Sequence, residues 1–449
     1  MTLPPKPESR PAKVSLWRYA RLFRQDILSA QPARLYRAWM AEFKTPFFRS
    51  YLINQPDLIQ TVLKTRPDEY PKSDRIGEGL RPLLGNSVFL TNGAIWKRQR
   101  RIIDPAFEGG RLRETFPAIW DAAEAAAARL APHDGAPLEV EAQTSHAAAD
   151  VIFRTLFSIP IEHHMAREVF DEFKTYQRSQ PILNIAAFVP LPRWLPRLFR
   201  RDTKRSAAKI RRLITALTAE RMEAIKAGTA PDDLATKIMT TPDPEDGSTF
   251  TTDEMVDQVA IFFLAGHETS ASALAWAMYL VATHPDWQDR LAEEAQAIDQ
   301  CDFAVMGKLR QSRDVFREAL RLYPPVPMMV REASCPATFR DRTVARGAQV
   351  VISPWHLHRH ERLWDNPDGF DPARWHSENG KKCQREAYLP FSAGARVCPG
   401  AGFAMVEGPL ILSRIMRDFR IEVVGEKPPV PVAHLTVRSK DGILLRFVR

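Results

Sequence analysis

Along most of the chain, apolar residues recur three and four positions apart, the spacing of helices with one buried face. This period predicts helices over 112–180 and 203–227, with Ala-rich stretches such as AIWDAAEAAAARL. Residues 14–44, VSLWRYARLFRQDILSAQPARLYRAWMAEFK, are amphipathic and basic and read as helices on the surface of the fold or on a membrane face. YLINQP reads as a strand ended by proline, and DLIQTVLK as a short helix. TTDEMVDQ supplies a capping box, Thr251 with Glu254, for a helix that runs past Tyr279 to about His284, where Pro285 stops it. Some thirty residues at 1.5 Å each give a rod of about 45 Å, enough to cross a domain. Further helical spacing follows in WQDRLAEEAQAI and KLRQSRDVFREALRL. After Pro324 the pattern shortens to strands and turns, and strand periodicity returns in IEVV and ILLRFV. The expected fold is mainly α with small β-sheets.

Composition narrows this picture in three ways. The 36 prolines are scattered as helix stops and make no linker, so residues 45–449 are expected to form a single domain after a basic, Pro-rich start over 1–44. A net charge of +9 suits nucleic acid, anionic lipid or an acidic protein partner. The basic residues are interspersed with acids and no nucleic-acid signature is found, which leaves the acidic partner. Cys301, Cys335, Cys383 and Cys398 are too few and too irregular for a disulfide framework or a zinc pattern, in keeping with a reducing compartment. No apolar run is long enough for a signal peptide or membrane anchor, so a cytoplasmic protein is expected, soluble or at most in peripheral membrane contact.

The chemistry begins with FFLAGHETSASALAW, residues 262–276, where an otherwise apolar helix carries Gly, His, Glu and Thr at its centre. Buried polar groups are costly unless hydrogen-bonded or used. The zinc-protease pattern H-E-x-x-H fails because position 271 is Ala271. A structural reading has Gly266 marking close helix packing and Thr269 bonding back to a carbonyl. A second stretch, FSAGARVCPG at 391–400, shifts the balance. Cys398 sits in a glycine-bearing loop before the helical run AGFAMVEGPLILSRIMRDF, where backbone N–H groups and the positive helix end favour a thiolate, a soft ligand for iron.

These stretches resemble the cytochrome P450 family of haem-thiolate monooxygenases. The family's loop pattern F-x-x-G-x-R-x-C-x-G is matched by Phe391, Gly394, Arg396, Cys398 and Gly400. The long-helix pattern [AG]-G-x-[DE]-T-[TS] is matched by Ala265, Gly266, Glu268, Thr269 and Ser270. E-x-x-R is matched by Glu318 and Arg321; P-x-x-F-x-P-x-R-[FW] by Pro367, Phe370, Pro372, Arg374 and Trp375; and W-x-x-x-R by Trp96 and Arg100. The five motifs follow the family's order across about residues 45–445.

The resemblance implies haem b with Cys398 as the axial iron ligand and the long central helix over the haem. It implies propionate contacts from Trp96, Arg100, Arg331 and Arg396, and a buried triad of Glu318, Arg321 and Arg374. Gly266 would let the long helix open for dioxygen, and Glu268 with Thr269 would relay protons; His267 is expected to be structural. The implied activity is insertion of one oxygen atom from O2, with electrons from a separate ferredoxin- or flavodoxin-type carrier and its reductase. Lys97, Arg98 and Arg101 are docking charges or a solvated helix face. The family's substrate-contact regions fall on 74–95, 181–200, 261–269, 326–329 and 433–436. There Phe89, Phe262, Ala265, Met328, Met329 and Leu435 suggest a large lipophilic substrate, a terpenoid or carotenoid, or alternatively a fatty acid. The greasy, Pro-broken 181–200 stretch is either a core cap or the rim of a substrate entrance. A non-enzymatic alternative, a haem-thiolate sensor, would not need Glu268 and Thr269.

Overall fold

A computed structural model describes residues 3–45, 48–179 and 201–449 of the chain. The 181–200 segment, expected as a core cap or substrate rim, lies outside the described residues. The long helix forms where its cap foretells, over Thr252–Ala282. The Thr251 N–H donates to Glu254 Oε2 at 2.9 Å and the Glu254 N–H donates to Thr251 Oγ1 at 3.3 Å, the reciprocal pattern of a capping box. Asp253 and Glu254 in its first turn complement the positive helix end. From Ala271 to Leu280 every residue is buried, which explains why this stretch is apolar all round rather than striped. Pro285 does not merely end a pattern; it occupies the first turn of the next helix, Pro285–Gln296, where its missing N–H costs nothing.

The chain divides into two compact units. One comprises Met1–Pro71, Ala123–Ser145 and Thr269–Arg449, the other Lys72–Ala122 and His146–Glu268. Among the described residues every strand belongs to the first unit and the second is helical.

In the first unit a four-stranded sheet runs in the order Met40–Lys44, Arg49–Ile53, Gln349–Ile352, Met329–Glu332. Met40–Lys44 had been expected to continue the helices of 14–44; instead it pairs antiparallel with Arg49–Ile53, Glu42 facing Tyr51, because the hairpin ladder satisfies backbone groups that a short helix end would leave open. Helical structure before it is confined to Leu16–Gln25 and the 3-10 turn Ala33–Tyr36. The Pro-rich start is strapped to this unit: Pro5 carbonyl accepts from Tyr323 Oη at 2.8 Å, and Lys6 pairs with Asp368. The terminal strands expected from IEVV and ILLRFV pair antiparallel, Phe447 opposite Ile421. Helix Ala401–Asp418 is buried along most of its length, and Gly408 admits the Phe316 ring so closely that a Cβ would lie 2.2 Å from it.

In the second unit, helix His164–Ser179 packs along Arg201–Lys226, with Lys209 Nζ 2.6 Å from Glu172 Oε1. Among the described residues no helix is long and apolar enough to cross a membrane.

Candidate active site

The Cys398 loop is shaped by two left-handed backbone positions, Ser392 at φ 62° and Gly394 at φ 67°. A Cβ on Gly394 would stand 2.0 Å from the Leu63 carbonyl oxygen, so this position needs glycine for both conformation and space. The Cys398 N–H then donates to the Phe391 carbonyl at 2.9 Å and the Val397 N–H donates to Gly394 at 3.0 Å, closing the loop on itself. Gly400 caps helix Ala401–Asp418, and a Cβ there would be 3.9 Å from Cys398 Sγ. The thiol is exposed at a helix start. Cys383 is the contrast: it is buried, donates to the Leu363 carbonyl at 3.1 Å, and burial pushes its pKa up to about 11. One cysteine is a small core hydrophobe; the other is presented by its loop.

Arg331 lies on the edge strand Met329–Glu332 and is 7% exposed. Burial, followed by the like charge of Arg396, pushes its pKa down to about 10. Its Nη1 donates to the Val330 carbonyl at 3.2 Å, and among the described residues no carboxylate forms an ion pair with it. Arg396 donates to the Pro67 carbonyl at 2.8 Å. Burial lowers its pKa too, opposed by Asp68. Arg331 and Arg396 act on each other as like charges, and Arg396 stands two residues before the exposed thiol of Cys398.

Glu318 and Arg321, three residues apart on helix Arg310–Leu322, form the expected buried triad with Arg374. Arg321 Nε and Nη2 donate to Glu318 Oε2 and Oε1 at 2.9 and 2.8 Å, and Arg374 Nε donates to Oε1 at 2.9 Å. The Asp371 N–H adds a fourth donor at 3.0 Å. The remaining guanidinium N–H groups reach the carbonyls of His358, Pro367, Gly369, Asp365 and Asn366. Burial raises the Glu318 pKa, but the two arginines and these hydrogen bonds outweigh it and hold it below the ordinary value.

On the long helix, a Cβ on Gly266 would lie 2.3 Å from Ile152 Cδ1, so the glycine admits a close side-chain approach, as the packing reading expects. His267 is buried, edge-on to Phe170 with centroids 5.4 Å apart. Glu268 is buried, Thr269 half-buried, and Ala265 exposed although it stands mid-helix. Phe262 meets Phe107 at 5.5 Å.

Trp96 is buried on helix Gly93–Ile103 with Lys72 Nζ 5.8 Å from its ring. Arg100 Nε sits 2.7 Å from Asp104 Oδ1. Arg98 binds Ser248, Glu254 and the Thr249 carbonyl, and Arg101 binds Asp243 and Glu245. These two cations tie the helix to the 243–254 segment instead of standing open for docking; Lys97 is exposed. Phe89 and Leu435 are exposed, and Met328 and Met329 are half-buried.

A buried pair escaped the sequence reading. Ser270 Oγ donates to Glu407 Oε2 at 3.0 Å, and burial, opposed by Ser270, pushes the Glu407 pKa up to about 8. The signal was a lone acid in the apolar run GFAMVEGPLIL.

The exposed, loop-held thiol and the matched motifs agree with the comparisons. The Cytochrome P450 family pattern matches residues 36–446, and the chain belongs to that family. It is a haem-thiolate monooxygenase, an oxidoreductase that uses O2, electrons from a redox partner and a lipophilic substrate. Similar proteins include cyclooctat-9-en-7-ol 5-monooxygenase of Streptomyces melanosporofaciens, 32% identical over 387 residues, 84% of this chain and 81% of the relative. Cyclooctatin synthase of the same organism is 31% identical over 404 residues, 88% and 84% of the two chains. Cytochrome P450 4A14 of Rattus norvegicus is 30% identical over 431 residues, 91% and 82%.

Proposed function

We propose that the enzyme hydroxylates a large, carboxylate-free lipophilic molecule of terpenoid or carotenoid type, drawing electrons from a separate ferredoxin- or flavodoxin-type protein in the cytoplasm. The observation that carries the site assignment is the presentation of Cys398, exposed on a strained glycine loop at a helix start, while Cys383 is buried as an ordinary thiol. Cys398 Sγ would ligate the haem iron, and the haem, when bound, would supply the activation of dioxygen. Phe391, Gly394 and Gly400 hold the loop that aims the sulfur. Arg331 and Arg396, with Trp96 and Arg100, would hold the propionates; the positive charge that Arg331 and Arg396 bring together supports that role. Glu318, Arg321 and Arg374 tie helix Arg310–Leu322 to the 3-10 helix Pro372–His376 and to the loop before it.

Glu268 carboxyl and Thr269 Oγ1 hold and pass protons beside the long helix, with Gly266 giving the backbone freedom to make room. Phe89, Phe262, Ala265, Met328, Met329 and Leu435 are the substrate contacts. Their apolar character, and the terpenoid alcohol in the name of the Streptomyces relative, favour a hydrocarbon ring system over a fatty acid, which would call for a cationic anchor. The test is a spectral titration of the ferric protein with matched fatty acids, fatty alcohols, diterpene alcohols and carotenoids. Conversion to the high-spin form by the terpenoids or carotenoids supports the assignment. Conversion by the acids alone overturns it in favour of a fatty-acid hydroxylase.

A further inference from the structure

The segment 83–91, which carries Phe89, is gripped by side chains from three helices. Asp257, on Thr252–Ala282, accepts the Asn86 N–H on Oδ2 at 2.7 Å. Its Oδ1 accepts Arg211 Nη1 at 2.7 Å, and the same guanidinium nitrogen donates to the Leu83 carbonyl at 3.0 Å. The neighbouring Gln258 Oε1 accepts the Val88 N–H at 2.9 Å. Gln99, on Gly93–Ile103, donates to the Asn86 carbonyl at 2.7 Å and accepts Thr91 Oγ1 at 2.5 Å.

Gly85 completes the arrangement. It turns at φ 50°, and a Cβ on it would lie 2.1 Å from Asp257 Oδ1, so the carboxylate occupies the space that any other residue would fill. Asp257, Gln258 and Gln99 are all buried. Buried side chains that accept and donate to a loop backbone at successive positions fix it more firmly than the loop's own turns would. Phe89, 46% exposed, projects from the part held on both sides, since Val88 is bonded to Gln258 and Thr91 to Gln99. A surface loop has no need of three buried polar anchors; a loop that must keep one aromatic ring in place does.

We propose that Asp257 and Gln258, with Arg211 and Gln99, form a latch that positions Phe89 as a fixed wall and so sets how bulky a lipophilic substrate the enzyme accepts. These are positioning residues, and the inference rests on the reading of Phe89 as a substrate contact. Gln258→Leu removes the bond to Val88 without removing volume. Asp257→Asn keeps the shape and removes the charge that holds Arg211. Gly85→Ala displaces the carboxylate.

The experiment is residue-resolved hydrogen exchange of the holoenzyme, followed by spin-state titration of the same variants with a linear fatty alcohol, a fused-ring diterpene alcohol and imidazole, which binds iron directly. Exchange at Val88 in Gln258→Leu, and at Asn86 in Gly85→Ala, should accelerate about tenfold or more, the loss of one well-made hydrogen bond, and at Asn86 in Asp257→Asn by less, since one remaining oxygen must serve two donors. The dissociation-constant ratio of the ring alcohol to the linear one should shift about fivefold or more, with imidazole affinity unchanged. Unchanged exchange in all three variants overturns the latch. Faster exchange with an unshifted ratio overturns its role in specificity. A wild type that responds to neither alcohol removes the wall assignment of Phe89 and with it the specificity role, while the exchange data still decide whether the latch exists.

Discussion

Two clusters of arginine in the first unit obey opposite rules. Around Glu318 each guanidinium is matched: Arg321 and Arg374 share one carboxylate, and their other N–H groups reach backbone carbonyls. At buried Arg331 the charge that acts is another cation, Arg396, which Asp68 in turn opposes; burial leaves both guanidiniums below their ordinary pKa. A fold does not gain by burying like charges together. The first cluster is therefore complete within the polypeptide; Arg331 has no carboxylate of its own among the described residues, and under the proposed function a ligand supplies it. The comparison separates arginines that sequence motifs alone treat alike.

The largest effect should come from breaking the matched cluster. Glu318→Gln leaves two buried guanidiniums without their anion and should destabilise the protein by about 3–5 kcal/mol, measured by urea unfolding and seen as lost soluble yield.

Acid should reach the same region. The triad holds the Glu318 pKa down, so its contribution is present above the ordinary glutamate range and lost as pH falls through the lower folded value. Burial keeps His356 and His358 neutral, with pKa values pushed down to about 3 from 6.5. The unfolded chain therefore takes up protons that the folded chain refuses. Stability should decline progressively as pH falls below 6.5, with proton uptake on unfolding between pH 6.5 and 3. A flat stability curve down to pH 4 would contradict this.

The open cluster should respond with the opposite sign. Arg331→Met removes one member of a like-charged pair and should leave the haem-free chain as stable as before or more stable by about 1 kcal/mol, while haem affinity falls. If the haem-free variant were instead destabilised as strongly as Glu318→Gln, the distinction between the two clusters would fail.

A slope of the opposite sign concerns Glu407. Its folded pKa of about 8 stands above the ordinary 4.5, so the unfolded chain loses its proton first and stability falls as pH rises through that window. Glu407→Gln should remove this slope, matching the wild type near pH 4 and becoming progressively more stable than it as pH rises from about 5 to 8.

Much of this was legible in the sequence because the signals were local. The capping box of Thr251 and Glu254 marked the start of the long helix, and an i,i+3 pair marked Glu318 with Arg321. The glycines around Cys398 marked a loop that only glycine could form. What escaped depended on partners far along the chain. MAEFK became a strand through its ladder with Arg49–Ile53, against its helical spacing. Glu407 meets Ser270, 137 residues away. Arg98 and Arg101, which could have faced outward, find acids more than 140 residues on. Asp257 and Gln258 look like the polar start of an amphipathic helix until the 83–91 loop is laid against them.

The central claim is that Cys398, and no other cysteine, is the iron ligand. X-ray absorption at the iron edge of the purified ferric protein tests it most directly, comparing wild type, Cys398→Ser and a variant with Cys301, Cys335 and Cys383 all changed to Ser. A sulfur neighbour of iron in the wild type and the triple variant, absent in Cys398→Ser, is the predicted result. Sulfur that persists in Cys398→Ser, or an iron with only nitrogen and oxygen neighbours in the wild type, would contradict it.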